Sequence, residues 1–162
     1  MSKAVPVDQT ITRAAKIIAR CRELAGISDT PGETSRLFLT PATRDAHTLL
    51  AWWMRQAGLE ARTDDSGSLR AVRPSSHPDA PTLLLFSHID TVPDAGAFDG
   101  PLGVILALAA VEELHDTPLP FHVEIIAFAE EEGARFGRTN PNHIFVPTDE
   151  PHGTIEATIR RA

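Results

Sequence analysis

A chain of 162 residues is long enough to bury a core as one domain, and 42% hydrophobic with 23% charged residues is the composition of an ordinary soluble globular protein. Fifteen Lys and Arg against 22 Asp and Glu leave a formal charge of −7 with no basic stripe, so no nucleic-acid partner is expected. No stretch approaches membrane-spanning length, no apolar leader follows Met1, and the single cysteine, Cys21, allows no internal disulfide; a cytoplasmic protein with no membrane partner is the expectation.

In chain order, Asp8 reads as the cap of a first helix in which Ile11, Ala14, Ala15, Ile18, Cys21 and Ala25 recur at helical spacing before Gly26. Cys21 falls on that face as a small core residue rather than a nucleophile. After a Pro- and Gly-containing connection, Thr40-Pro41 reads as N-cap and N1 of a second helix. Ala46, Leu49, Leu50, Trp53, Met54 and Ala57 form its core face, and Gly58 ends it. Of the adjacent tryptophans only Trp53 points squarely inward. Residues 59–63 and 68–73 read as a hairpin about the turn Asp64-Asp65-Ser66-Gly67.

The apolar run Leu83-Leu84-Leu85-Phe86 reads as a central strand buried on both faces. It ends in Ser87-His88-Ile89-Asp90-Thr91-Val92, with Asp99-Gly100 a short loop later. His88 and Asp90, two apart, leave the same face if the strand continues. Gly100-Pro101 opens a helix that is apolar nearly all round, and residues 121–129 form the next strand, which runs into Glu130-Glu131-Glu132-Gly133. Strand, helix and strand make one βαβ unit with parallel strands. Parallel strands end at one edge of a sheet, so His88 and Asp90 emerge beside the three glutamates, where open α/β sheets take their ligands.

Each of these residues has a plainer use. A glutamate run also fits a solvated face or a helix start, His88 a hydrogen-bonded core histidine, and Asp90 a turn. Their convergence at one edge is what favours a metal site. An imidazole with several carboxylates suits Zn²⁺, Mn²⁺ or Co²⁺, with Asp99 able to bridge two ions, one glutamate bound and its neighbour free to take a proton from water.

The segments Ser87 to Pro93, Gly96 to Val104 and Ala127 to Gly137, with Arg36-Leu37-Phe38-Leu39-Thr40-Pro41-Ala42, resemble the allantoate amidohydrolases and N-carbamoyl-L-amino-acid hydrolases of the M20 peptidase superfamily. The resemblance implies an α/β fold with a mixed, largely parallel central sheet flanked by helices, like the zinc-exopeptidase catalytic domain. Residues 1–137 would form its N-terminal part without the lid domain, and residues 138–162 a divergent tail with one added strand at 153–160. It implies two divalent metal ions, with His88 on one, Asp99 bridging and Glu132 on the other. Glu131 would be the general base, and Asp90 would orient His88. The implied substrate is a small ureido or amide compound bearing a carboxylate.

The family's downstream histidine motifs are not found here, and His143 and His152 are poor replacements. Two ligands per ion imply weak metal binding and little turnover by this chain alone, and an exposed apolar surface favouring self-association. A non-catalytic assembly module completed by another chain, or an aminopeptidase or acylase relative, are the alternative readings.

Overall fold

The computed structural model describes residues 7–136; the added strand at 153–160, Gly137, His143 and His152 lie outside the described residues. Among the described residues, three helices, α1 (Val7–Ala25), α2 (Pro41–Gln56) and α3 (Pro101–Glu113), accompany four strands, β1 (Glu60–Thr63), β2 (Leu69–Arg73), β3 (Thr82–His88) and β4 (His122–Phe128). The sheet runs β1-β2-β4-β3. It is mixed, as expected, but among the described residues only β3 and β4 run parallel. The β1–β2 and β2–β4 ladders are antiparallel, because a hairpin turn supplies β2.

Alternation along the strands places Leu69 and Ala71 of β2 with Val123, Ile125 and Ala127 of β4 on one face. Buried residues of all three helices join them in a single core cluster. The hairpin closes as the sequence predicts: Asp64 accepts from the backbone N–H groups of Ser66 and Ser68, and Gly67 takes φ 84°. At α2, Thr40 caps the Thr43 N–H with Pro41 following, and Gly58, at φ 81°, turns the chain out. Trp53 is buried under the Arg20 guanidinium, whereas Trp52 is exposed.

Three expectations change. Helix α1 already includes Val7, so Asp8 lies in its first turn rather than at its cap, where its charge still suits the helix dipole. The inward stripe of α1 is Arg13, Ile17, Arg20, Cys21 and Leu24, while Ile11 and Ile18 are exposed. The cause is ionic: Arg13 pairs with Glu113, and Lys16 and Arg20 both reach Glu112 at 2.8 Å, so α1 faces α3 partly through charge. Third, among the described residues β3 is the outermost strand rather than a central one, with Leu83 and Phe86 exposed, and α3 leaves Leu106 exposed. An apolar run records what would be stable if covered; it does not supply the cover.

Candidate metal centre

The parallel register pairs His88 with Phe128, so the chain leaves β3 and β4 at the same level, and the Ile89 N–H still donates to the Phe128 carbonyl at 3.0 Å. One further residue on, Asp90 is buried and its Oδ2 accepts the Glu132 N–H at 3.0 Å. This bond joins the two loops that the βαβ unit brings together.

Helix α3 presses against the end of β3 because Gly100 and Gly103 lack side chains. A Cβ on Gly100, at φ 79°, would lie 2.5 Å from His88 Nδ1, and one on Gly103 would lie 2.7 Å from Ser87 Cβ. Ser87 Oγ donates to the Gly100 carbonyl at 2.9 Å and holds that approach. Asp99, the residue before Gly100, thereby sits over the His88 ring, its Oδ1 3.9 Å from Nε2.

His88 is half-buried and its two nitrogens are divided. Nδ1 lies 3.1 Å from the Asp90 carbonyl and 3.6 Å from Asp90 Oδ1, while Nε2 faces Asp99 and Glu131 Oε2, the latter at 3.8 Å. In the neutral ring, an Nδ1–H bonded to the backbone carbonyl places the free electron pair on Nε2. His88, Glu131 and Glu132 each offer one ligand atom within 4.8 Å of the others. Ligands about 2 Å from a shared ion would stand roughly 3 to 3.5 Å apart, so small side-chain rotations bring this set to bonding geometry. The donors fit a borderline divalent cation, and Asp99, largely exposed, is within reach of the same space.

Electrostatics record the same crowding. Burial alone would lower the His88 pKa, but the hydrogen bonds and charge of Asp90, with Glu131 beyond, raise it to about 9. Burial would raise Asp90, yet His88 and the N–H groups of Glu131 and Glu132 hold it below the usual carboxylate range. Glu132 is pushed up by burial and by the neighbouring carboxylates of Asp99, Glu131 and Asp90, against the pull of His88.

Of the five residues expected at the site, His88, Glu131 and Glu132 bring ligand atoms within 4.8 Å of one another, Asp99 stands 3.9 Å from His88 Nε2 outside that group, and Asp90 contacts the ring at Nδ1. Two further details differ from the sequence reading. Asp90 and His88 do not share a strand face: the strand ends at His88, and Asp90 turns inward to hold the ring through its carbonyl. The three glutamates also separate, since Glu130 is buried with its carboxyl raised by burial, whereas Glu131 is exposed and Glu132 intermediate. Arg36 and Thr91, which bind the loop around Asp90, were not singled out by sequence reasoning. Their only signal was that they lie within the segments that carry the family resemblance.

The family model of Peptidase family M28 matches residues 69–145, which include β2, β3, α3, β4 and this edge. Allantoate deiminase 1 of Glycine max is 42% identical over 148 residues, 89% of this chain and 31% of that protein. The N-carbamoyl-L-amino acid amidohydrolase of Geobacillus stearothermophilus is 39% identical over 120 residues, 72% of this chain and 29% of that protein. The chain is homologous to the allantoate deiminases and N-carbamoyl-L-amino-acid amidohydrolases. Among solved structures, a hydantoinase/carbamoylase family amidase from Burkholderia ambifaria superposes with a TM-score of 0.72 at 37% identity, covering 77% of this chain and 31% of that one. The chain thus spans about a third of the length of the relatives it matches, and its α/β fold is that of these amidases.

Proposed function

We propose that this chain supplies one half of a two-metal amidohydrolase centre that hydrolyses a linear amide or ureido C–N bond, in a substrate of the allantoate or N-carbamoyl-amino-acid type. The observation that carries this reading is the divided His88 ring, tied at Nδ1 to Asp90 and offered at Nε2 to Asp99 and Glu131. His88, Asp99 and Glu132 would hold two divalent ions, Zn²⁺, Mn²⁺ or Co²⁺, with Asp99 shared between them. Such ions polarise the scissile carbonyl and acidify water.

The chain's own residues do the rest. Glu131, exposed beside the imidazole, takes a proton from the attacking water on its carboxylate. As the water oxygen bonds to carbon and the C–N bond breaks, the carboxylic acid returns that proton to the departing nitrogen. Once the Nε2 proton of His88 is lost, Asp90 holds the imidazole in the tautomer that exposes Nε2. In this assignment each ion has two protein ligands among the described residues, whereas catalytic zinc usually has three. Metal held by these residues alone would therefore bind weakly and support only slow turnover.

The test measures metal content and ammonia release from allantoate and N-carbamoyl amino acids. Glu131→Gln should lower turnover at least about a hundredfold with metal uptake little changed, the cost of losing a positioned base. Full turnover in Glu131→Gln, or a wild-type chain that takes up no divalent metal, would sink the assignment.

A further inference from the structure

Arg36 has no solvent exposure, although a guanidinium stays charged and is costly to bury without partners. Its bonds go to two places. Nη1 donates to the Leu24 carbonyl, which also accepts the Ile27 N–H at 3.1 Å, and to the Ile27 carbonyl just beyond the end of α1, both at 2.8 Å. Nε donates to the Ile89 carbonyl at 2.7 Å. The backbone adds two more ties, since the Arg36 N–H donates to Thr91 Oγ1 at 2.8 Å and the Thr91 N–H donates to the Arg36 carbonyl at 3.0 Å. One residue therefore grips both neighbours of Asp90.

We propose that Arg36 is a positioning residue of the metal centre, holding the 89–91 loop so that Asp90 can set both the His88 ring and the Glu131–Glu132 turn. This rests on the metal-centre reading above. Asp90 sends its carbonyl to His88 Nδ1 and its Oδ2 to the Glu132 N–H, so displacing residues 89 and 91 displaces both halves of the donor set. The buried positive charge also offsets that of Asp90, whose attraction opposes the lowering of the guanidinium pKa by burial.

A purely structural role, pinning α1 to the sheet, would predict a different pattern, and a control on α1 separates the two. Leu24→Ala opens a cavity at the same helix end but removes no hydrogen bond of Arg36 or of the 89–91 loop, because Leu24 contributes only its backbone carbonyl. Arg36→Met keeps the length of the side chain and removes its bonds, Arg36→Lys restores the charge with one nitrogen in place of the three-nitrogen fork, and Thr91→Val removes the hydroxyl acceptor at nearly constant shape. Each variant is titrated with Co²⁺ alone, following the visible spectrum, and amide exchange of the metal-free chain is followed at Glu132.

Arg36→Met should weaken Co²⁺ binding about ten- to a hundredfold, the cost of losing a group that orients a ligand, with Arg36→Lys and Thr91→Val in between. Glu132 exchange should speed in the same order, while Leu24→Ala lowers the melting temperature and leaves both readouts near wild type. Equal affinity in Arg36→Met and wild type, or equal losses in Leu24→Ala, would overturn the inference. If Arg36→Met does not fold, wild-type behaviour of Thr91→Val in both measurements overturns it instead. A wild-type chain that binds no Co²⁺ would remove the metal-centre reading, and the exchange at Glu132 would still decide whether Arg36 sets the turn.

Discussion

Strands β3 and β4 lie side by side in one parallel ladder and are almost equally apolar, yet their surroundings differ. From Ile125 to Phe128 every residue of β4 is buried, with β2 along one edge and β3 along the other. In β3, Leu83 is 45% and Phe86 59% exposed, and among the described residues no strand follows on the outer side. Hydrophobicity sets how much a segment gains by being covered, and topology decides whether cover arrives. The candidate metal site lies where the closed part of the molecule, α2 with β2 and β4, meets this open part, and it draws loops from both.

The largest effect that would sharpen the contrast is in β4. Ile125 is fully buried in the core, so Ile125→Ala should cost about 3 to 4 kcal/mol of stability, as a lost transfer term plus a cavity. Urea denaturation at neutral pH measures it. A loss below about 1 kcal/mol would mean that β4 is no better packed than β3 and would dissolve the distinction.

The two halves also treat histidine in opposite ways. His47, on α2, is 7% exposed and its Nε2 has no hydrogen-bond partner, so burial, with Arg36 adding to it and Asp64 opposing, lowers its pKa to about 4. His88 at the open edge, surrounded by carboxylates, is raised to about 9. Because the folded pKa of His47 lies below its unfolded value of 6.5, the unfolded chain binds more protons between those limits. The stability that His47 contributes is complete above pH 6.5 and is lost as the pH falls toward 4, by about 3 kcal/mol. Across the same window the contribution of His88 is constant, since it declines only as pH rises past 6.5 toward 9. His47→Gln should therefore lose much less stability than wild type between pH 7 and pH 4.5, in paired urea titrations. Equal losses would show that His47 is not held neutral by the closed half.

What could be read from the sequence follows the range of the interactions involved. The hairpin, the caps of α2 and the βαβ unit depend on neighbours a few residues apart or on the handedness of a single crossover, and each is present. That crossover alone brought His88, Asp99 and the glutamates together. The α1 stripe was misjudged because Arg13 and Arg20 turn inward to meet Glu112 and Glu113, partners more than 90 residues away that no helical period reveals. Arg36 is similar: an arginine in a loop looks solvated until Ile89 and Thr91, more than 50 residues on, close over it. Its burial is written only in the tertiary structure.

The smallest effect tests the open half itself. Phe86 makes an edge-to-face contact with Phe128, ring centroids 5.8 Å apart, and is 59% exposed. Such a pair is worth about 1 kcal/mol, so Phe86→Ala should cost roughly that amount in the same urea assay, a third or less of the Ile125→Ala loss. The outcome that breaks the comparison is a cost equal to that of Ile125→Ala, and its dependence on protein concentration would identify the cause. A loss that grows with concentration means that another molecule covers β3 in solution, because association stabilises the folded state by mass action. A large loss independent of concentration assigns the cover to the chain's own residues beyond those described, and β3 would then be an inner strand after all.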